Sequence, residues 1–104
     1  MEFAFLMQRA LEVRQQYSEW ERDKYGRPWT REELALGLVG DVGDLMKLVQ
    51  AQEGVRHIPD ARAKLGHELA DCLWSLLVLA DLYGIELERA FLRTMDELEA
   101  QLSG

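Results

Sequence analysis

From Leu69 to Leu82 the sequence is apolar at nearly every position, and this stretch limits the fold more than any other feature. It belongs to a helix predicted from about Ala61 to Tyr83, with Gly84 as the residue that ends it. A helix that is apolar on all sides must be surrounded by other elements. Four short helices in a chain of 104 residues can hardly surround one of their own. We therefore expect an all-α protein that completes its core by oligomerisation.

Three further helices follow from the spacing of apolar residues and from local start and stop signals. The first is predicted from about Glu2 to Lys24, the second from about Arg31 to Gln52, and the fourth from about Leu87 to Leu102. Thr30 followed by Glu33 makes a capping box at the start of the second helix. The apolar residues expected to form the core stripe of this helix are Leu34, Leu38, Val42, Leu45 and Val49.

Length and charge narrow the classes of function. The 104 residues suit one domain, residues 1–104. The formal net charge of −7 argues against a nucleic acid or an anionic membrane as the main partner. A nucleotide stays compatible with it, because a bound cation can reverse the local sign. The longest apolar stretch is too short to span a bilayer and the N-terminus lacks a signal-peptide pattern, so we expect a cytoplasmic protein.

Three glycines recur at every third position inside the second helix, at Gly37, Gly40 and Gly43. Each costs roughly 1 kcal/mol relative to alanine in a helix interior. Their presence indicates a close approach by a ligand or, more simply, by a neighbouring helix.

Two pairs of acidic residues, each three positions apart, point to chemistry. Asp41 and Asp44 lie on one side of the second helix, and Glu68 and Asp71 on one side of the third. Each pair borders an apolar stripe, so the pairs can meet if the two helices are antiparallel neighbours. Four carboxylates in partly buried surroundings repel one another unless a cation neutralises them. Mg²⁺ is the usual cation for oxygen ligands, so the pattern favours a shared magnesium site.

A simpler interpretation stays open at this point. The chain has 19 acidic residues, so pairs three apart arise by chance and the four can be unrelated surface charges. A di-iron bundle is not favoured, because that site needs Glu-x-x-His pairs. His67 directly precedes Glu68 and is expected to point elsewhere, and neither His67 nor His57 is given a role.

At the acidic pairs the sequence resembles a known family. The segments 36–45, LGLVGDVGDL, and 65–74, LGHELADCLW, are similar to the two acidic motifs of the MazG-like all-helical nucleotide pyrophosphohydrolases. They are most similar to the dCTP pyrophosphatase branch, and the resemblance extends over residues 30–96. The family carries an E-x-x-E pair and an E-x-x-D pair, and the first pair here reads D-x-x-D.

The resemblance implies a four-helix MazG-like bundle that works as a homodimer or homotetramer. It implies a house-cleaning hydrolase that cleaves a nucleoside triphosphate to the monophosphate and pyrophosphate with Mg²⁺, or with Mn²⁺ as a substitute. By the same resemblance Asp41, Asp44, Glu68 and Asp71 bind the metal, and Asp41 and Glu68 are the expected catalytic residues. Two other functions stay open: a non-catalytic helical oligomer that keeps a structural metal, and a phosphoribosyl-ATP pyrophosphatase-like activity.

Three more residues are expected to contact the substrate. Trp29 lies in the turn before the second helix, where its aromatic face can stack on a base. Lys64 shares the side of the third helix that carries Glu68 and is the expected phosphate contact. Lys47 has two interpretations, a phosphate contact or an ion pair with Asp44 three residues earlier.

Overall fold

The computed structural model describes residues 2–103, which form four α-helices. This confirms the all-α fold, and every helix boundary lies within one residue of the position expected from the sequence. Met1 and Gly104, the ends of the single domain predicted over residues 1–104, lie outside the described residues. The helices are α1 (Phe3–Tyr25), α2 (Arg31–Gln52), α3 (Ala61–Leu82) and α4 (Leu87–Ser103).

Local signals define where the helices begin and end. At the start of α2 the Glu33 backbone N–H donates to Thr30 Oγ1 over 3.1 Å, and the Glu33 carboxylate accepts from the Thr30 N–H over 2.8 Å. This is the predicted capping box, which satisfies two backbone donors at once. Beyond α3, Gly84 has a φ of 67°, and Ile85 donates its N–H to the Ala80 carbonyl over 2.8 Å. A left-handed glycine allows this closing bond.

The central helix is α3, which packs against both α1 and α2. Ala10 of α1 and Leu34 of α2 meet Leu77 and Val78 of α3 in the buried core. On the α1 side, the indole nitrogen of Trp74 donates to the Ala10 carbonyl over 3.0 Å. The apolar third helix therefore organises the protomer, as its sequence predicts.

The α2 and α3 helices run antiparallel. Leu34, near the start of α2, shares the core with Leu77, near the end of α3. Asp44, later in α2, lies beside Glu68, which is earlier in α3. Sequence numbers thus rise along one helix as they fall along the other, and this is the arrangement that brings the two acidic pairs together.

The predicted core stripe of α2 is wrong at two of its members. Val42 is 50% exposed and Val49 is 38% exposed, whereas Leu48 is only 5% exposed. The reason is that α3 lies over the side of α2 that carries Asp41 and Leu48. The side of α2 that contacts α3 therefore lies closer to the acidic pair than the predicted stripe does, and Val42 and Val49 are left outside it.

Within the described protomer, the expectation of close packing by a neighbouring helix at the three glycines is not met. A Cβ added at Gly40 or Gly43 would meet nothing within 4 Å. At Gly37 such an atom would lie 3.6 Å from Cζ3 of Trp29, which is a side chain from the turn before α2. Among these three glycines, only Gly37 therefore has a close neighbour, and that neighbour is the Trp29 ring.

The protomer is open. Its radius of gyration is 16.5 Å, whereas a compact chain of this length has about 13 Å. Helix α4 contributes no buried residue, although it carries an apolar stripe that includes Phe91 and Leu98. On α3, Leu69, Leu73 and Leu76 stay largely exposed along one side. Within the described part of the chain, none of the helices combines the length and the apolar character that crossing a membrane requires.

Candidate metal centre

The four predicted acidic ligands come together where α2 crosses α3. Oxygen atoms of Asp41, Asp44 and Glu68 all lie within 4.8 Å of one another. A second group with the same spacing joins Glu68 to Asp71 and to His67. Glu68 belongs to both groups, so the two acidic pairs form one cluster across the helix contact, as the antiparallel arrangement predicts.

Glu68 has an unusual environment within this cluster. Its Oε2 atom is exposed by less than 1 Å² and has no hydrogen-bond partner among the described residues. A buried polar atom without a partner costs roughly 1–3 kcal/mol, and more when it is charged. Oxygen donors from four carboxylates are the ligands that a hard divalent cation takes, so a bound cation would satisfy this atom. The residues present therefore fit a divalent metal.

Electrostatics in the cluster also favours a cation. Burial raises the pKa of Asp41, and the neighbouring charges of Asp71 and Asp44 raise it further. Burial likewise raises the pKa of Glu68, with added contributions from Asp41, Asp71 and Asp44. In both cases the environment disfavours the ionised form. A divalent cation would reverse this by attracting all the carboxylates at once.

His67 is a member of the cluster that the sequence interpretation missed. Its Nε2 atom lies 3.2 Å from Asp71 Oδ2, with the imidazole 71% exposed. The expectation that His67 points elsewhere is therefore wrong. The Glu-x-x-His spacing of di-iron sites does not include this histidine. The signal in the sequence is instead the His-x-x-x-Asp spacing of His67 and Asp71, because residues four apart are neighbours on a helix.

Of the three predicted substrate contacts, only Lys47 lies within ion-pair distance of an acid of the cluster among the described residues. Trp29 packs against Gly37, one helical turn before Asp41, and its ring is half-exposed. Lys47 Nζ lies 3.9 Å from Asp44 Oδ1, with both side chains exposed. Lys64 is exposed, one turn before Glu68 along α3.

A second feature that the sequence interpretation missed holds the turn that carries Trp29. Glu21 is 4% exposed, and its Oε1 accepts from the Trp29 backbone N–H over 2.8 Å. The same oxygen accepts from Arg14 Nη1 over 3.1 Å, and Arg14 Nη2 donates to the Trp29 carbonyl over 3.1 Å. The signal in the sequence is the Arg14–Glu21 spacing of seven, two helical turns on one side of α1.

Comparison with known proteins identifies the family. The family model described as the MazG nucleotide pyrophosphohydrolase domain matches residues 29–101, a range that contains the four candidate acidic ligands. Neither the curated proteins nor the solved structures yielded a match. The resemblance to the dCTP pyrophosphatase branch stays a prediction. With an all-helical fold and the profile covering most of its length, the chain belongs to the MazG nucleotide pyrophosphohydrolase family.

Proposed function

We propose that the protein is a Mg²⁺-dependent pyrophosphohydrolase that converts a nucleoside triphosphate to the monophosphate and pyrophosphate. The observation that carries the proposal is the buried, unpartnered Oε2 of Glu68, which lies among three other carboxylates. Such an atom is expected where a ligand completes the site. Membership of the MazG family supports the class of reaction.

Asp41, Asp44, Glu68 and Asp71 are the residues that would hold Mg²⁺, or Mn²⁺ in its place. When bound, the cation would offset phosphate charge and polarise a phosphoryl oxygen. Without a cation, the same four carboxylates would repel a triphosphate. We therefore expect nucleotide binding to require the metal, despite the net charge of −7.

Asp41 and Glu68 are the proposed proton acceptors. Burial and neighbouring like charges raise the pKa of both carboxylates in the metal-free cluster. A bound cation would lower these pKa values again, so the proposed role rests on the position of the two carboxylates in the cluster and on the resemblance of the acidic motifs to those of the family. In the proposed reaction the water oxygen bonds to the α-phosphorus, and its proton passes to one of these carboxylates. The bond from the α-phosphorus to the pyrophosphate oxygen then breaks.

Trp29 is proposed to stack on the base. Its ring is half-exposed beside Gly37, and its backbone is fixed by Glu21 and Arg14. An aromatic face held in place loses little entropy on binding, which favours stacking. Lys64 and Lys47 are the proposed phosphate contacts, and for Lys47 this requires leaving its long, exposed pairing with Asp44.

We also propose that the protein works as a homodimer or homotetramer with a house-cleaning role in the cytoplasm. Support for association comes from the apolar side chains left uncovered on α3 and α4. Leu73, Leu76 and Phe91 each expose 45% or more of their surface. Monomers rarely leave so much apolar surface open, and a second copy would extend the small core.

A panel of standard and modified nucleotides, assayed for pyrophosphate with Mg²⁺ or Mn²⁺, tests the proposal. We expect release from at least one triphosphate, and loss of release on adding a chelator or on substituting Glu68→Ala. Glu19→Ala, an exposed change on α1, is the matched control and should leave release unchanged. If no nucleotide is cleaved while metal still raises the melting temperature, the non-catalytic oligomer with a structural metal is the better account.

A further inference from the structure

We infer that His67 is a direct ligand of the metal centre, so that the site binds Mn²⁺, Co²⁺ or Zn²⁺ in preference to Mg²⁺. The inference rests on the metal centre of the proposed function, but not on the reaction. It assigns a role to a side chain that the acidic motifs do not include.

The distance between the two donor atoms supports joint coordination. Nε2 of His67 lies 3.2 Å from Oδ2 of Asp71. Two ligands each about 2.1 Å from one metal are about 3.0 Å apart at an octahedral angle and about 3.4 Å apart at a tetrahedral angle. The observed separation falls between these values, so the two donor atoms are already spaced as two ligands of one cation would be.

The helix provides the rest of this ligand set. His67 and Asp71 are four residues apart on α3 and so share one side of it. Two ligands four apart on a helix are a recurring way to bind a metal from a single element. A Glu68 oxygen lies within 4.8 Å of donor atoms from both residues. With its buried Oε2 unpartnered, Glu68 supplies an oxygen that still lacks a positive partner.

His67 lies at one end of the cluster that spans the contact between α2 and α3. One of its ring nitrogens lies within 4.8 Å of oxygens of Glu68 and Asp71. Glu68 in turn has an oxygen within 4.8 Å of oxygens of Asp41 and Asp44 on α2. An exposed histidine that merely pairs with Asp71 would explain the 3.2 Å contact. That pairing leaves the buried Oε2 of Glu68 without a partner, which supports a cation in the cluster. The His67–Asp71 spacing then places His67 within reach of the same cation.

A nitrogen ligand changes which metal the site prefers. Mg²⁺ favours oxygen ligands and strict octahedral geometry, whereas imidazole suits Mn²⁺, Co²⁺ and Zn²⁺. His67 should therefore raise the affinity for these ions and have little effect on Mg²⁺.

The direct test is NMR of protein labelled with ¹⁵N-histidine, titrated with Zn²⁺ alone, without nucleotide. Coordination should shift the His67 ring nitrogens strongly. His57, which lies in the loop between α2 and α3, is the internal control and should change little. The resonances are assigned with His67→Gln. If the His67 signals move no more than those of His57, His67 is not a ligand and the inference is overturned.

Calorimetric titration gives a second measurement. His67→Gln should weaken Co²⁺ and Mn²⁺ binding by about tenfold and Mg²⁺ binding by less than about twofold. His57→Gln should change none of the three affinities. An equal loss for all metals, or no loss, would overturn the inference. The two proposals can fail separately, because this titration contains no nucleotide. If the protein binds metal through His67 but hydrolyses no nucleotide, only the proposed function is contradicted.

Discussion

Glu21 and Glu68 both bring a carboxylate oxygen into the interior, but their surroundings are opposite. Oε1 of Glu21 accepts from Arg14 over 3.1 Å and from the Trp29 backbone N–H over 2.8 Å. Oε2 of Glu68 is exposed by less than 1 Å², although the residue as a whole is only partly buried, and it has no donor among the residues described. Its nearest charged neighbours on α2 and α3 include Asp41, Asp44 and Asp71, which are all acids.

The difference separates a structural charge from a functional one. A buried charge that is paired and hydrogen-bonded fixes the geometry around it, as Glu21 does for the turn before α2. A buried carboxylate among other acids lowers stability unless a ligand compensates. One chain contains both arrangements. The contrast is what we expect if the Glu68 cluster binds the proposed cation and does not serve to stabilise the fold.

The largest expected effect concerns activity. Glu68→Gln should lower pyrophosphate release by about 10²–10⁴-fold, because it removes both a metal ligand and a proposed proton acceptor. Release is measured with saturating nucleotide and Mg²⁺. Glu19→Gln, on the exposed side of α1, should keep the wild-type rate. A Glu68→Gln protein with nearly full activity would remove Glu68 from the mechanism.

The corresponding change at Glu21 should act on stability. Glu21→Ala leaves Arg14 and the Trp29 N–H without their acceptor. We expect a loss of about 3 kcal/mol in the free energy of unfolding, measured by urea denaturation. Glu19→Ala should cost less than about 0.5 kcal/mol. Equal losses in the two variants would show that the buried pair does not stabilise the turn.

A smaller effect of opposite sign is expected at Glu68. In metal-free protein, Glu68→Gln removes a carboxylate whose ionisation is disfavoured by burial and by three acids. Its melting temperature should therefore exceed that of the wild type by a few degrees. Added Mg²⁺ should raise the melting temperature of the wild type and not of the variant. A variant less stable than the metal-free wild type would mean that Glu68 has a structural partner after all.

The smallest effect is the dependence of stability on pH, which should have opposite signs for the Arg27–Glu33 ion pair at the start of α2 and for the Glu68 cluster. The ion pair with Arg27 and the contact with Thr30 lower the pKa of Glu33 from 4.5 to about 2. Its contribution is thus complete above the ordinary pKa of a glutamate, and it is lost as the pH falls through about 2. Asp41 and Glu68 have raised pKa values in the folded protein. The folded state therefore binds their protons more tightly, and stability falls as the pH rises above their ordinary range.

The melting temperature of chelator-treated protein, plotted against pH, should have two sloping parts. We call them the lower limb, below about pH 4.5, and the upper limb, above it. Glu33→Gln should flatten the limb below about pH 4.5, and Glu68→Gln should flatten the limb above it. Saturating Mg²⁺ should also suppress the upper limb, because the metal replaces protons on the acids. A profile that is identical with and without metal would contradict the assignment of the upper limb to the cluster.

The sequence predicted those features that depend on neighbouring residues. The capping box of Thr30 and Glu33 places the start of α2, and Gly84 marks the end of α3, because each acts within one helical turn. The i,i+3 spacing of both acidic pairs placed them on single helix sides for the same reason. Their meeting required the antiparallel packing of α2 and α3, which was only a condition in the prediction from the sequence.

Other features depend on how the helices are rotated about their axes. Val42 and Val49 are exposed and Leu48 is buried because α3 covers the acidic side of α2, a rotation of a few tens of degrees from the expected stripe. The burial of Glu21 depends on Arg14 and on the returning Trp29 backbone. No helical periodicity contains that tertiary contact.

The most direct test of the central claim is a calorimetric titration of Mg²⁺ into metal-free wild type, Glu68→Gln and Glu21→Gln. The account predicts saturable binding to the wild type and to Glu21→Gln, and binding at least about tenfold weaker for Glu68→Gln. Equal binding by all three proteins, or no binding by the wild type, would contradict the assignment of the cluster as a metal centre.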